Sequence, residues 1–424
     1  MVVGNMVGAG VFLLPAAMAA YGGISLVGWL FSAIGALCIA RTFSETSKLL
    51  PHADGGLYNY TRAGFGDFMG FLVAWGYWIS TVCANAAIVV SLVSALSTFF
   101  PILASSAPAA VLTGLSAIWL LTWVNTRGIK STGEVQLVTT VLKLLPLAAI
   151  AFIGFFYIDW HHFTPFNRSQ KTTLQAIGAT AAMTLFAFVG VESATVTGDN
   201  IENPERTIPR ATMLGASVTT LIYVFGTMSV MGLLSTDELG KSVTPFADAA
   251  VKIWGPRSGY WVSAGVAIAA FGALNGWILV QGQMPSAVAS DRLLPAVFNR
   301  HNKRGAPYVG IILSSLFISL IMVMNYTKGL VEQFRFLMLL STLTCLVPYL
   351  FVSAAYVMIV IDRQQQQPGI KVGWAKVLTM AALAFIFSVL AIIGAGEEIV
   401  FRGFVLLLLG TPIYVYNSWK RKRS

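Results

Sequence analysis

Two ionisable residues stand well inside long apolar runs, Glu192 as the acid and Lys143 as the base. An ionisable side chain in such a setting is a functional candidate by default, because burying its charge is costly. Glu192 is a candidate for taking up and releasing a proton. The alternative is a permanently protonated packing residue. Lys143 lies in Thr139-Thr140-Val141-Leu142-Lys143-Leu144-Leu145-Pro146, about 16 Å along its run if that run is helical. A buried lysine changes protonation readily, which makes it a second proton-coupling candidate. The alternative is a lysine whose stem lies along apolar surface while its ammonium reaches an interface.

Glycines interrupt two of the apolar runs. The first carries Gly4, Gly8 and Gly10 in Val3-Gly4-Asn5-Met6-Val7-Gly8-Ala9-Gly10-Val11-Phe12, and another carries Phe186-Ala187-Phe188-Val189-Gly190-Val191-Glu192-Ser193. Glycine is costly inside a helix and permits unwinding. A half-helix starting after Gly10 would present the free N–H groups of Val11 and Phe12 with a positive dipole end, which suits a carboxylate. A half-helix ending near Phe188 would offer unpaired carbonyls to an ammonium group. Together they fit the two charged ends of an α-amino acid. Small residues in apolar helices also serve close helix packing; the matched pair of breaks favours the binding reading.

The elements that must hold these groups follow from composition. The 424 residues are 56% hydrophobic and 10% charged, against about a quarter charged in a soluble domain. Apolar runs of membrane-crossing length recur from end to end. Twelve spans are expected, at 1–19, 24–43, 66–98, 108–124, 133–157, 173–197, 210–234, 259–287, 308–325, 333–359, 373–394 and 399–417. Spans one and six hold the same rank in two five-span halves, 1–157 and 173–359. Interrupted helices at corresponding positions of two halves point to a transporter site. The pair of helices over 373–417 stands outside that repeat, within a single membrane domain spanning 1–424.

The net charge of +10 reports topology rather than a nucleic-acid partner. With loops assigned alternately to the two sides, 18 of the 27 lysines and arginines fall on one side and 8 on the other, with Lys143 inside a span. The positive-inside rule then puts both termini in the cytoplasm, and the basic rim faces anionic lipid. Lys420–Arg423 fits an ordinary flank of a last span. Only seven residues precede Gly8, a reach of about 10 Å, and they carry no basic leader. The expectation is therefore that the natural start lies upstream or that this start is misassigned.

Asn5-Met6-Val7-Gly8-Ala9-Gly10-Val11-Phe12-Leu13-Leu14-Pro15, Phe188-Val189-Gly190-Val191-Glu192-Ser193-Ala194, Glu202-Asn203-Pro204-Glu205-Arg206-Thr207-Ile208-Pro209-Arg210, Asn275-Gly276-Trp277 and Leu346-Val347-Pro348-Tyr349 occur in this order. The order resembles the APC superfamily, in particular its basic amino acid/polyamine antiporters. The resemblance covers nearly the whole chain. It implies an all-α membrane protein of about twelve transmembrane helices, with a LeuT-type five-plus-five inverted repeat and discontinuous first and sixth helices. It implies an inner-membrane antiporter, exchanging a basic amino acid for its decarboxylated amine by alternating access, as arginine is exchanged for agmatine. It requires no cofactor or metal and admits a homodimer.

The resemblance also assigns roles. Met6, Gly8, Ala9, Gly10, Val11, Thr81, Asn85, Phe186, Trp277 and Ser341 would bind substrate, with Asn85 and Trp277 lining the side-chain pocket. Trp277 would be a middle gate, and Ser341 would lie near the distal end. Tyr77, Glu192 and Tyr349 would form the inner gate. Several superfamily members are similar in placing a fifth-span lysine where others bind sodium. Ala9 and Phe186 depart from the arginine exchangers, which carry serine and tryptophan there. Both changes leave room for backbone carboxylate binding and aromatic stacking.

Trp277, Phe186, Tyr77 and Trp78 offer cation–π faces, although aromatics in membrane helices also serve packing and lipid contact. His161, His162 and Asp159 read as an interfacial loop, since no further ligand is spaced for zinc. Cys38, Cys83 and Cys345 read as small buried hydrophobes, and Gln364–Gln367 as a polar linker. No nucleophile–base pair or metal constellation suggests an enzyme. The readings that remain open are a basic amino acid/amine antiporter, a proton-coupled carrier of neutral amino acids, and a membrane sensor that keeps this fold without turnover.

Overall fold

The computed structural model describes residue 6 and residues 10–50, 56–127, 144–192, 204–325, 327–367, 369 and 372–423. Gly8, Ala9 and Lys143 lie outside the described residues.

In chain order the helices are α1 Gly10–Met18, α2 Ile24–Leu49, α3 Leu57–Phe65, α4 Asp67–Ser97, α5 Ala107–Thr126, α6 Leu144–Tyr157, α7 Thr173–Leu185, α8 Pro204–Leu233, α9 Thr236–Lys241, α10 Pro245–Trp254, α11 Pro256–Ser290, α12 Tyr308–Met324, α13 Leu330–Gln366, α14 Trp374–Gly394, α15 Glu397–Leu408 and α16 Thr411–Arg423. Among the described residues, eight helical stretches are long and apolar enough to cross a membrane, and four shorter apolar helices accompany them. The protein is an all-helical, multi-pass membrane protein.

Several helices outrun the apolar segments that announce them. α2 continues to Leu49, where Arg41 and Lys48 pair with Glu45 at 2.6 and 3.4 Å. The i,i+4 and i,i+3 spacings put the charges on one face. α13 runs for 37 residues, roughly 55 Å at 1.5 Å per residue, so its last turns leave the hydrocarbon. Gln364–Gln366 form the end of that helix rather than a linker: the helix runs on past Pro348 to Gln366, and the Gln367 amide closes it on the Arg363 carbonyl at 3.0 Å. The twelfth predicted span is two helices, α15 and α16, meeting at Leu409 and Gly410. The Trp75 indole packs at that junction and donates to the Leu406 carbonyl at 2.9 Å.

Three shorter helices fall in segments read as loops. α3 joins α2 to α4 across an intervening stretch, 51–55, outside the described residues. Arg62 on α3 donates to Asp67 at 2.8 Å and to Asp291 at 2.9 Å, Tyr58 donates to Asp291 at 2.9 Å, and Arg421 of α16 donates to Asp67 at 3.0 Å. One charged cluster thus ties α3, α4, α11 and α16. α9 and α10 lie at the opposite ends of the helices. Ser235 and Glu238 cap α9 reciprocally. The Lys252 hydrogen bond, with those of Ser235, holds the Glu238 carboxyl down at about 2. His162 reaches the Gly232 carbonyl through Nδ1 at 2.8 Å and so pins its loop to α8.

The long helices form two packed groups. α2 lies against α7 and α8; α4, 89% buried over its apolar window, lies against α11 and α13, with α5 and α12 outside them. α1 touches members of both groups. The start of α1 and the end of α7 therefore face one another at the seam.

Candidate functional site

α1 begins at Gly10 and α7 ends at Leu185. After Leu185 the chain tightens into a single 3₁₀ turn, Phe186–Phe188, and Val189 leaves it extended. Gly190 follows at φ +107°, a conformation that a residue with a β-carbon adopts only under strain. The turn carbonyls are not bare: Phe186 accepts from the Val189 amide and Phe188 from Val191, both at 3.2 Å. This corrects the expectation of unpaired carbonyls. A ligand would meet their second lone pairs.

A cavity of about 20 Å³ lies at this point, lined by Met6, Gly10, Val11, Ala84, Ile88, Phe186, Ala187, Val189 and Trp277. That is room for about one water molecule, so this conformation is closed around the site. Five of the residues proposed from sequence share its wall: Met6, Gly10, Val11, Phe186 and Trp277. Ala84, Ile88, Ala187 and Val189 were not anticipated. They are ordinary apolar residues, and nothing in their type marks them.

Gly10 permits the closure. A β-carbon there would stand 2.2 Å from Phe186 Cε1. The Phe186 ring also meets Phe334 of α13 edge-on at 6.0 Å. Thr81, Asn85 and Ser341 are buried nearby but do not line the cavity. Thr81 donates to the Trp78 carbonyl at 2.7 Å. Ser341 donates to the Ser80 carbonyl at 2.9 Å while Ser80 returns a bond to the Ser341 carbonyl at 2.8 Å, a reciprocal clasp between α13 and α4. The Asn85 amide nitrogen donates to Gln281 Oε1 at 2.6 Å.

Glu192 is completely buried. Tyr77 of α4 donates to its Oε1 at 2.7 Å and Tyr349 of α13 to its Oε2 at 2.6 Å. The Gly190 amide lies 3.2 and 3.1 Å from the two oxygens. The three residues expected to act together are in direct contact. Each oxygen receives a phenolic hydrogen, so adding a proton to either one would weaken that bond or reverse its direction. Loss of these bonds would free the segment after α7 from α4 and α13.

Two polar residues at the site escaped the sequence reading. The Tyr223 hydroxyl of α8 donates to the Met6 carbonyl at 2.7 Å, and Tyr223 is fully buried. Gln281 stands one helical turn after Trp277 on α11. Each shares its span with other polar residues, such as Thr219 and Thr227 beside Tyr223 and Asn275 and Gln283 beside Gln281, so residue type alone did not single either out.

The chain matches the amino acid permease family model over residues 1–407. It is similar to the putrescine transporter PotE of Haemophilus influenzae, 30% identical over 420 residues that cover 98% of this chain and 94% of that protein. It is 30% identical over 427 residues to the arginine/ornithine antiporter of Pseudomonas aeruginosa, with 98% and 88% covered. It is 30% identical over 430 residues to the cadaverine/lysine antiporter of Escherichia coli, with 99% and 94% covered.

Proposed function

Because this chain belongs to the amino acid permease family, we propose that it exchanges a basic amino acid for a decarboxylated amine across the inner membrane by alternating access. It is a transporter and not an enzyme. Its relatives named above carry or exchange putrescine, arginine and ornithine, or cadaverine and lysine. These solutes share an ammonium or guanidinium at the end of a flexible chain.

The observation that carries the reading is the shared cavity at which α1 starts, α7 ends and Trp277 meets Phe186. The α-carboxylate is received by the first amides of α1, including those of Val11 and Phe12, at the positive end of its dipole. The α-ammonium meets the carbonyls of Phe186–Phe188. The side chain lies between Trp277 and Phe186, whose faces attract a cation. Ala9 in place of serine costs about one neutral hydrogen bond, roughly 1 kcal/mol. Tyr77, Glu192 and Tyr349 close the inner side, and Thr81, Asn85 and Ser341 bound the distal end. Glu192 and Lys143 exchange protons during the cycle.

A five-plus-five inverted repeat, 1–157 and 173–359, supports this cycle, with 373–417 outside it. Counterparts by rank in the two halves pack on one another: α2 on α8, α4 on α11 and α5 on α12. α1 and α7 share the cavity. Rocking one packed group against the other would open it to either side. Both termini lie in the cytoplasm in this reading.

The test is counterflow into proteoliposomes loaded with arginine, agmatine, lysine, cadaverine, ornithine or putrescine. Exchange of at least one cationic pair is expected. No flux with any solute would favour a sensor. Competition by alanine, serine and leucine, with none by the cationic solutes, would favour a proton-coupled carrier of neutral amino acids.

A further inference from the structure

Asn85 is fully buried on α4 between Ala84 and Ile88 in register, both of which line the cavity. A side-chain amide carries a donor end and an acceptor end, and which end faces a ligand decides what that ligand must bring. Here the choice is made by a chain of hydrogen bonds running away from the cavity. Asn85 Nδ2 donates to Gln281 Oε1 at 2.6 Å, and Gln281 Nε2 reaches Ser315 Oγ on α12 at 3.4 Å. Ser315 contacts the Ile311 carbonyl at 2.9 Å and Thr122 Oγ1 at 2.6 Å, and Thr122 contacts the Ile118 carbonyl at 2.8 Å.

The donors can be counted. Ser315 and Thr122 own two hydroxyl hydrogens between them. Their contacts with two carbonyls and with each other already call on both. Toward Gln281, Ser315 is therefore left as an acceptor, and the Gln281 nitrogen must face it. Gln281 Oε1 then faces Asn85, and only Asn85 Nδ2 can satisfy it. The remaining atom, Asn85 Oδ1, is buried and has no hydrogen-bond partner among the described residues. A buried acceptor left in that state is costly. Asn85 does not line the cavity in this closed conformation; a ligand that donates would relieve its oxygen once the cavity between Ala84 and Ile88 widens to reach it.

We propose that Gln281, held by Ser315 and Thr122, is a positioning residue that fixes Asn85 with its carbonyl oxygen as the free end, so that the site demands a hydrogen-bond donor such as an ammonium or guanidinium from its substrate. This rests on the transport function proposed above. It explains how a site walled by apolar and aromatic residues rejects a neutral side chain of equal shape. A site built to bond a donor discriminates strongly against an isostere lacking it, because its own polar atom is stranded.

Ornithine and norleucine test this, since norleucine carries a methyl group where ornithine carries its terminal ammonium. Both compete against labelled putrescine exchange in proteoliposomes, in the natural protein and in Gln281→Met, Gln281→Glu and Ser315→Ala. The natural protein is expected to prefer ornithine strongly. Gln281→Met keeps the volume but removes the acceptor, so the ornithine-to-norleucine preference should fall about tenfold. Ser315→Ala, which lies beyond any ligand contact, should shift it in the same direction by a smaller factor. Gln281→Glu in its protonated form donates its hydroxyl to Ser315, keeps an oxygen facing Asn85 Nδ2 and should retain the preference. Unchanged selectivity in both Gln281→Met and Ser315→Ala overturns the relay. So does equal loss of preference in Gln281→Met and Gln281→Glu. Should Gln281→Met not fold, Ser315→Ala decides alone. Failure of the natural protein to exchange any cationic solute would overturn the functional reading instead, which keeps the two failures apart.

Discussion

The Phe186 ring lies against the backbone of Gly10, so close that a β-carbon on Gly10 would stand 2.2 Å from Phe186 Cε1 and 2.9 Å from Cδ1. The start of one helix and the end of another are thereby sealed over a cavity with room for about one water molecule. In the proposed cycle, substrate entry requires this contact to open.

Gly10→Ala should therefore block the closed state. The added methyl must displace the ring or α1, an overpacking cost of about 1–3 kcal/mol. The expected result is at least a tenfold loss of exchange, with Phe186→Ala restoring part of it in the double variant. Initial rates in proteoliposomes check this, and full activity in Gly10→Ala alone would refute the sealing role.

Glu192→Gln keeps one oxygen for a phenol but cannot lose or gain a proton. Exchange measured from pH 5 to pH 8 should show a shifted or abolished pH dependence, with Lys143 left as the other titrating group, while substrate binding survives in part. An unaltered pH profile would leave Glu192 as a packing residue.

Tyr77→Phe and Tyr349→Phe each remove one hydrogen bond to a buried carboxylate, worth about 1.5–3 kcal/mol when charged. Both should loosen the inner side, raising the labelling rate of cysteines placed there. A double-mutant cycle with Glu192→Gln should return a coupling of about 0.5–3 kcal/mol. Additive effects would mean that the three residues do not act as one gate.

Sodium-independent exchange is expected from Lys143, because a fixed cation repels sodium from the place it occupies. Replacing sodium by choline should leave the rate unchanged. Uptake that needs a sodium gradient and is indifferent to Lys143→Ala would sink this expectation.

Arg62→Ala removes the bonds to Asp67 and Asp291 together. These groups are about a third exposed, so each pair is worth about 1 kcal/mol at most. A modest fall in melting temperature is expected, and it should shrink at high salt. A loss that is indifferent to salt would point to packing by the arginine stem.

The sequence alone determined the solvent and pointed to a candidate place for the site. Runs of apolar residues long enough to cross hydrocarbon leave few alternatives to membrane helices, because unpaired backbone cannot be left in lipid. Glycine clusters at Gly8–Gly10 and at Gly190 marked two places where helices could stop, and a buried acid such as Glu192 is rare enough to be noticed. Local chemistry of this kind is written in residue type. What α3, α9 and α10 would do was not, since short amphipathic helices look like loops until something covers them. Tertiary structure alone brought Tyr77 and Tyr349 onto the two oxygens of Glu192 from helices more than two hundred residues apart in sequence number. It alone set Gln281 against Asn85. A hydrogen bond's direction depends on which donors the neighbours have already used, and that count exists only once the helices have packed.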